Sequence, residues 1–552
     1  MIKKVPPYLG ILLFSLLISL PIILPFLHAG YFPTHDGEWA VVRLADMFRA
    51  LRDFQIPARY SENLNFGYGY PLFNFAYPFP YYLGTFIHLM GVGFVDTIKV
   101  LFASSVFLSG FFMFLASRSL WKSALAGAVC SIMYIYFPYR MVDLYVRGSI
   151  GESLSFVLFP LLFYLGIKLV NKASLLLVGC IGVTVGILVM THNIMSVLFL
   201  PIFIAFTFGK IILEKKKVLK SFISSILLGF GISAFFWIPA LLEKSNILLS
   251  EIPIADRSLY FVNLEQLLLP KWGYGVPTDP NGFSYQFGLA HIAAFLLIIF
   301  FFIFTFFKNK KKLKDNFVKV AFLLTIATSI VIFFLFKYSA FLWENLPLLS
   351  EINYPWTLLA PIGFLISLSA GFLCTNKVTR YIMVALSICA ILLVLPYAKP
   401  EQYLNKGDDY YMTNDATTTS SNELMPLWVK KMPTQRVKEK VEIISGKGVI
   451  ENVSFNSKEV KFSAIISNES IVRINTIYYP GWKINVNGVN VPISYSNEKG
   501  VMDIDIPSGN HIVNAVFGET PLRLISNIIS IASFLALLLV VLITSRKFLL
   551  RQ

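Results

Sequence analysis

The chain is 552 residues long, 56% hydrophobic and 15% aromatic but only 14% charged, with a mean hydropathy of +0.67. One soluble core cannot hide that much apolar surface, so a water-soluble globule is excluded and a multi-span membrane protein is implied. The formal charge of +16 does not point to nucleic acid, because Lys and Arg stand mainly in short runs between apolar segments, where they orient membrane helices.

The first apolar segment, Leu9 to Leu27, follows Lys3 and Lys4. It is long enough to span and lacks a small-residue cleavage site, so it reads as a retained helix rather than a signal peptide. Next comes YFPTHDGEWAVVRLADMFRALRD, Tyr31 to Asp53, which opens on His35, Asp36 and Glu38. Val41, Leu44, Ala45, Phe48 and Leu51 then recur at helical spacing, with Arg43, Asp46, Arg49, Arg52 and Asp53 largely off that face. This predicts an amphipathic helix lying in the membrane interface with an acidic cluster at its leading end. A carboxylate beside a His at that depth suits chemistry on a lipid-borne substrate. The alternative is structural: Asp36 or Thr34 caps the helix. The stretch that follows is dense in Gly, Pro and aromatics, and Tyr68 and Tyr70 within it are candidates for stacking on a sugar or for anchoring at headgroup depth. Residues 82–90 suit a short re-entrant helix.

Segments long enough to cross the bilayer predict twelve spans. They fall near 9–28, 97–117, 123–139, 151–170, 174–191, 194–213, 218–240, 288–307, 317–337, 355–374, 380–396 and 523–545. If all twelve cross, the basic runs from Lys3 to Lys547 land on one side, both termini are cytoplasmic, and 29–96, 241–287, 338–354 and 397–522 face outward. All four cysteines (Cys130, Cys180, Cys374, Cys389) fall inside these spans without CxxC spacing, which indicates neither a disulfide framework nor a zinc site.

The outer turn YRMVDLYVRGSIGES carries Arg140, Asp143, Arg147 and Glu152, either as mutual ion pairs or as ligands for a charged headgroup. Arg147 is the candidate phosphate ligand, since a guanidinium can grip a phosphate with two parallel hydrogen bonds. His192, in MTHNIMS, occupies a tight outer hairpin, as a turn residue or as a second contact to a phosphate. Loop 241–287 is longer than a bundle connection needs, which suits a lid or binding element. Pro355 in NYPW fits a first helical turn. From about 397 the composition turns polar and strand-like through 522, and the Asn487-Gly488 pair has hairpin chemistry. The expected organisation is therefore a mainly α transmembrane domain over 1–396, an extracytoplasmic β-sandwich-like domain over 397–522, and a last span with a cytoplasmic tail over 523–552.

The outward loop with His35-Asp36 after a first span resembles the membrane glycosyltransferases of the GT-C superfamily. GYGYPLFNF (Gly67 to Phe75), VRGSIGE (Val146 to Glu152), NYPW (Asn353 to Trp356), NELMPLW (Asn422 to Trp428) and YYPGWKINVNG (Tyr478 to Gly488) resemble the signatures of YfhO-like and 6-pyruvoyl-tetrahydropterin synthase-related membrane proteins. The pterin label implies no pterin chemistry, because no His-x-His metal cluster is present. Thr357 stands where the familiar motif has Arg after Pro-Trp.

The resemblance implies an enzyme that takes a sugar from a polyprenyl-phosphate donor at the outer leaflet and passes it to a glycan, lipid or protein acceptor. Asp36 matches the GT-C acid, which acts as general base or helps hold a metal. His35 and Glu38 stand beside it. Arg147 and His192 are candidates to meet the departing phosphate, with Glu152 or Glu38 as orienting partners. No cofactor is implied with certainty, and a divalent metal ion stays open. The rival readings are a lipid-linked sugar flippase or transporter, and a non-catalytic membrane assembly protein whose β domain binds a partner.

Overall fold

The structure, a computed structural model, describes residues 7–279 and 282–549. Lys3, Lys4, Pro280 and Asn281, together with the side chains of Lys310, Arg546 and Lys547, lie outside the described residues. The main helices are α1 (Pro7–Ile23), α2 (Gly37–Arg52), α3 (Phe94–Trp121), α4 (Ala124–Ile135), α5 (Ile150–Asn171), α6 (Leu175–Thr191) and α7 (Asn193–Leu213). They continue with α8 (Leu219–Ile232), α9 (Ala234–Leu242), α10 (Leu289–Lys308), α11 (Asn316–Phe333), α12 (Leu359–Leu373), α13 (Thr379–Val394) and α14 (Pro521–Leu549).

Among the described residues, nine helices are long and apolar enough to cross a membrane, or eleven if each of two bent pairs is one span. The expected count of twelve is therefore not reached on length and composition. The missing member is α6, an apolar helix of 17 residues.

Two segments expected as straight spans are broken. After α4, Pro138 has no N–H to continue the helix and starts a new one, Pro138–Val142, which runs into a π-helical turn at Asp143–Arg147. The axis bends by 47°. The stretch 140–150, expected as an outer turn, is thus mostly helical and deeply buried. The second break separates α8 from α9 at Ser233, with a 70° bend. Backbone groups freed there find side-chain partners: the Phe235 N–H donates to Ser530 Oγ (2.8 Å), and Arg59 Nη1 donates to the Phe235 carbonyl (2.7 Å).

Helix α2 packs into the protein more closely than a helix lying on its surface would. Nine of its residues, including Asp46, are buried under the helix Phe79–His88 and the short helix Asp408–Met412. The bundle interior is aromatic, with Phe159 stacked on Phe199 at 3.8 Å and Phe364 edge-on to both.

The C-terminal region forms one six-stranded antiparallel sheet, β1 (Val441–Asn456), β2 (Glu459–Ile477), β3 (Trp482–Val486), β4 (Val489–Val491), β5 (Val501–Ile506) and β6 (Gly509–Phe517). β1 lines one edge of β2; the other edge pairs with β6 over Glu459 to Ile466 and with β5 over Ser470 to Ile477. Asn487 and Gly488 turn β3 into β4 with positive φ at both residues, as their chemistry predicts.

Candidate functional site

Two breaks in regular structure build the site. After α1 the chain crosses at Tyr31, which bridges to Leu404, and turns into α2 through Pro33-Thr34-His35-Asp36. The Thr34 hydroxyl accepts from the Gly37 N–H (2.9 Å), while the Asp36 side chain makes no cap bond. Thr34 therefore does the capping, and the Asp36 carboxylate is free for another role.

The second break ends at Gly148, held at φ +65°. The two strands of chain are pinned by the His35 N–H donating to the Val146 carbonyl (3.0 Å) and the Asp36 N–H donating to that of Arg147 (2.7 Å). Approach this close needs glycine: a Cβ on Gly148 would lie 2.3 Å from Thr34 Oγ1.

Arg147 sits at the centre. One arm, Nη1, donates to Glu152 Oε2 and to the Tyr139 hydroxyl (3.3 Å), and Tyr139 itself donates to Glu152 Oε1 (2.7 Å). The guanidinium lies 4.6 Å over the Trp356 ring. Its other arm, Nη2, stands 3.7 Å from Asp36 Oδ2. Glu152 is wholly buried, Arg147 is 12% exposed and Asp36 38% exposed, so accessibility rises toward the carboxylate. That gap is too long for a direct hydrogen bond, leaving an open donor edge opposite an open acceptor.

Aromatic rings pack around the pair. Phe283 packs edge-on to Trp356 at 4.9 Å, and Tyr354 stands 5.4 Å from Trp356. On the other side Tyr77, stacked with Tyr81, lies in the field of Asp36, Arg43 and Arg147.

The expected site residues divide. His35 is present but half-buried: its Nε2 faces the Tyr274 carbonyl at 3.3 Å, and burial holds its pKa below the usual value, so the ring is neutral near pH 7. Glu38 is half-buried in the field of Lys406, and burial raises its pKa. Glu152 is the carboxylate that pairs with Arg147 Nη1. His192 stacks on Tyr77 at 5.1 Å and its Nδ1 accepts from the Met195 N–H (3.2 Å), capping α7. Burial pushes its pKa down to about 3, so His192 brings no cation for a phosphate.

Tyr70 is buried with its hydroxyl 3.1 Å from Thr418 Oγ1. Tyr68 lies away from Asp36 against the sheet region, accepting from Lys499 Nζ (2.7 Å). Arg140 and Asp143 form a separate, fully buried pair at 3.0 Å.

Sequence reasoning missed Tyr139, Trp356, Tyr77 and Arg43 as site residues. Arg43, one helical face along from Asp36, donates through Nε to Thr418 Oγ1 (3.1 Å) and through Nη2 to the Thr418 carbonyl. Its partner sits 375 residues away, which no local pattern signals.

Among the described residues, no three His, Cys, Asp or Glu side chains converge as a metal site. The guanidinium of Arg147 beside Asp36 carries a positive charge and no lone pair to give, which disfavours a divalent ion at that carboxylate.

Residues 73–400 match the family model described as "6-pyruvoyl-tetrahydropterin synthase related domain; membrane protein". An uncharacterized protein of Lactococcus lactis subsp. cremoris is 27% identical over 316 residues, covering 55% of this chain and 50% of that one. The chain thus spans about half the length of the curated relative it matches. Two solved structures are similar at low identity. The Archaeoglobus fulgidus oligosaccharyltransferase, solved with a tethered acceptor peptide, superposes with a TM-score of 0.41 and 14% identity over 76% of this chain and 60% of that one. The arabinofuranosyltransferase AftD from Mycobacteria gives a TM-score of 0.44 and 13% identity over 71% of this chain and 26% of that one. Both superpositions are too loose to carry functional residues across.

Proposed function

The chain belongs to the membrane-protein family described as related to 6-pyruvoyl-tetrahydropterin synthase, and we propose that it is a membrane-embedded glycosyltransferase moving a sugar from a polyprenyl-phosphate donor to a glycan, lipid or protein acceptor. The observation that carries this reading is the uncapped, part-exposed Asp36 carboxylate facing the free Nη2 edge of Arg147 at 3.7 Å.

The chemistry needs a base at the acceptor hydroxyl and a cation at the departing phosphate, so the sugar enters as the Asp36–Arg147 pair opens beyond 3.7 Å. Asp36 takes the proton of the acceptor hydroxyl as its oxygen bonds to that carbon. The bond from the anomeric carbon to the phosphate oxygen breaks, and its electron pair leaves with the polyprenyl phosphate. Arg147 meets the charge growing on that phosphate with Nη2, while Glu152 and Tyr139 hold Nη1 still. With Trp356 under Arg147 and Tyr77 stacked on Tyr81 and His192, the half-buried Tyr354 is the ring of this group that suits the face of a sugar. The site works on the outer face of the membrane, opposite the basic loops.

The test uses the full chain in lipid nanodiscs with polyprenyl-phosphate-linked hexoses and pentoses as donors. Wild type releases polyprenyl phosphate and forms glycosylated product, and Asp36→Asn lowers the rate by about 10²- to 10⁴-fold at unchanged thermal stability. Undiminished transfer by Asp36→Asn removes Asp36 from the chemistry. A wild type that moves lipid-linked sugar between leaflets and transfers none makes the protein a transporter.

A further inference from the structure

The loops that join α10 to α11 and α12 to α13 meet at a half-open groove of about 260 Å³. Its wall is apolar where helices line it, at Phe301, Val318 and Phe372, and polar where the loops do, at Lys312, Thr375 and Asn376. Phe301 lies seven residues, about 10 Å, inside the end of α10 at Lys308. Its ring packs edge-on to Phe372 at 4.9 Å. The groove therefore runs from the helix ends into the depth that hydrocarbon occupies. It lies far from Asp36: Trp356, under Arg147, precedes the start of α12, and the groove is at the other end of that helix, some 22 Å along.

The two loops are basic beyond what their acids can balance. Residues 308–319 and 375–380 hold eight Lys or Arg and one acid, Asp315. Asp315 Oδ1 caps α11, accepting from the N–H of Phe317 (2.8 Å) and of Val318 (3.2 Å). Among the described residues none of these cations pairs with a carboxylate, whereas Lys210, at the end of α7, pairs with Glu214. Lys312 and Asn376 are both exposed at the groove. The Asn376 side-chain carbonyl accepts from the Val378 N–H (2.9 Å), which leaves its amide N–H groups to donate outward.

Basic runs that only orient helices need charge and no cavity. Here the charge stands at the mouth of a groove with an aromatic far wall, and the two features together select the ligand. A free phosphate answers the cations and leaves the apolar end unfilled. A zwitterionic lipid fills the apolar end but sets its own cation against theirs. A lipid with a net negative head answers both, with phosphate oxygens at Lys312 and Asn376 and methylenes along the rings.

We propose that this groove is a binding site for one anionic phospholipid of the leaflet that the basic loops face. The site is independent of the transferase reading.

The test strips the full chain of native lipid in a neutral detergent and titrates it with dioleoyl phosphatidylglycerol or dioleoyl phosphatidylcholine. Native mass spectrometry counts the molecules retained per chain. One phosphatidylglycerol is held about tenfold or more tightly than phosphatidylcholine, and excess inorganic phosphate does not displace it. Lys312→Glu, a charge reversal at an exposed residue, weakens its retention about tenfold. Thr375→Trp, which fills the groove without changing charge, weakens it too, and both variants melt as wild type does. Lys217→Glu makes the same charge change on another exposed basic loop and leaves retention unchanged. The proposal is overturned if the two lipids bind alike, if phosphate displaces the lipid, or if Lys312→Glu or Thr375→Trp retains it as wild type does. Equal loss in Lys217→Glu and Lys312→Glu also overturns it, by making the attraction a diffuse property of the basic face.

Discussion

Gly148 joins the two halves of the candidate site, and its demands are unusually explicit. Any side chain there faces both a left-handed backbone (φ +65°) and Thr34 Oγ1 at 2.3 Å. Gly91 shares the left-handed backbone, at φ +95°, but has nothing within 4 Å. Replacing either with Ala therefore carries the backbone strain, of order 1–2 kcal/mol, and only Gly148→Ala also forces Thr34 and the Asp36 loop away from Arg147. Thermal melts should drop by a few degrees for Gly91→Ala with transfer intact, and further for Gly148→Ala with transfer largely lost. Equal behaviour of the two would mean that the 34–37 and 146–148 contact does not position Asp36. At this scale the sequence is legible where chemistry is local. Asp36, Arg147 and Glu152 stand out as charges beside long apolar runs, and Arg147 and Glu152 are only five residues apart. Trp356 and Thr418 reach the site from over 200 residues away, and Tyr139 is masked by its aromatic neighbours, so none of them has a local signature.

Helices and strands are read well from pattern when their surroundings match what the pattern assumes. The apolar spacing on α2 is real, but the pattern presumes a solvated polar face, and here part of that face is covered by chain from residues 404–419 while Arg52 stays exposed. Arg43 bonds to Thr418, and the Phe66 N–H donates to the Asp415 carbonyl. The same long-range lacing caps α3: Asp408 Oδ2 accepts from the Phe94 N–H (2.7 Å) and Oδ1 from the Val95 N–H (2.9 Å), across more than 300 residues. A cap from so far away is invisible to any local capping rule. Asp408→Ala should lower stability by about 0.5–2 kcal/mol, with Asp408→Asn intermediate because one acceptor oxygen survives. Thermal melts of both variants check this; no change in either would mean that α3 does not depend on the cap. The strands follow the same logic. The four strand-like segments VEIIS, VIENVSF, EVKFSAII and IVRINTIYY join into β1 and β2, with register shifts near Ser445, Lys447 and Ser454 taken up as bulges in the ladder.

At the scale of the whole molecule, the helices run between two ends. Trp121 packs on Phe317 (6.3 Å) and on Phe372 (5.7 Å), which gathers the end of α3, the start of α11 and the end of α12, with their neighbouring lysines, at one end. The Asp36 loop, the bridge from Tyr31 to Leu404 and the sheet gather at the other. The undecided element is α6, one residue shorter than the shortest of the nine long helices. Its last residue meets the start of α5, since a Cβ on Gly151 would lie 2.4 Å from the Thr191 carbonyl, and its start follows the end of α5 closely. It therefore retraces α5 from one end to the other, and its 17 residues reach about 25 Å, enough to traverse where neighbouring helices shield it from lipid. Were α6 to cross as well as the nine long helices and both bent pairs, the chain would make twelve crossings. Crossing parity makes this testable: single cysteines at the exposed Lys172, Lys217 and Asn510, placed in a background lacking the four native cysteines, are labelled with an impermeant maleimide on intact cells. Twelve crossings put Lys172 and Lys217 on one side and Asn510 on the other. Labelling that separates Lys172 from Lys217 would mean that α6 does not cross, and the basic runs could then no longer all lie on one face, as the orientation of Asp36 toward the outer leaflet requires.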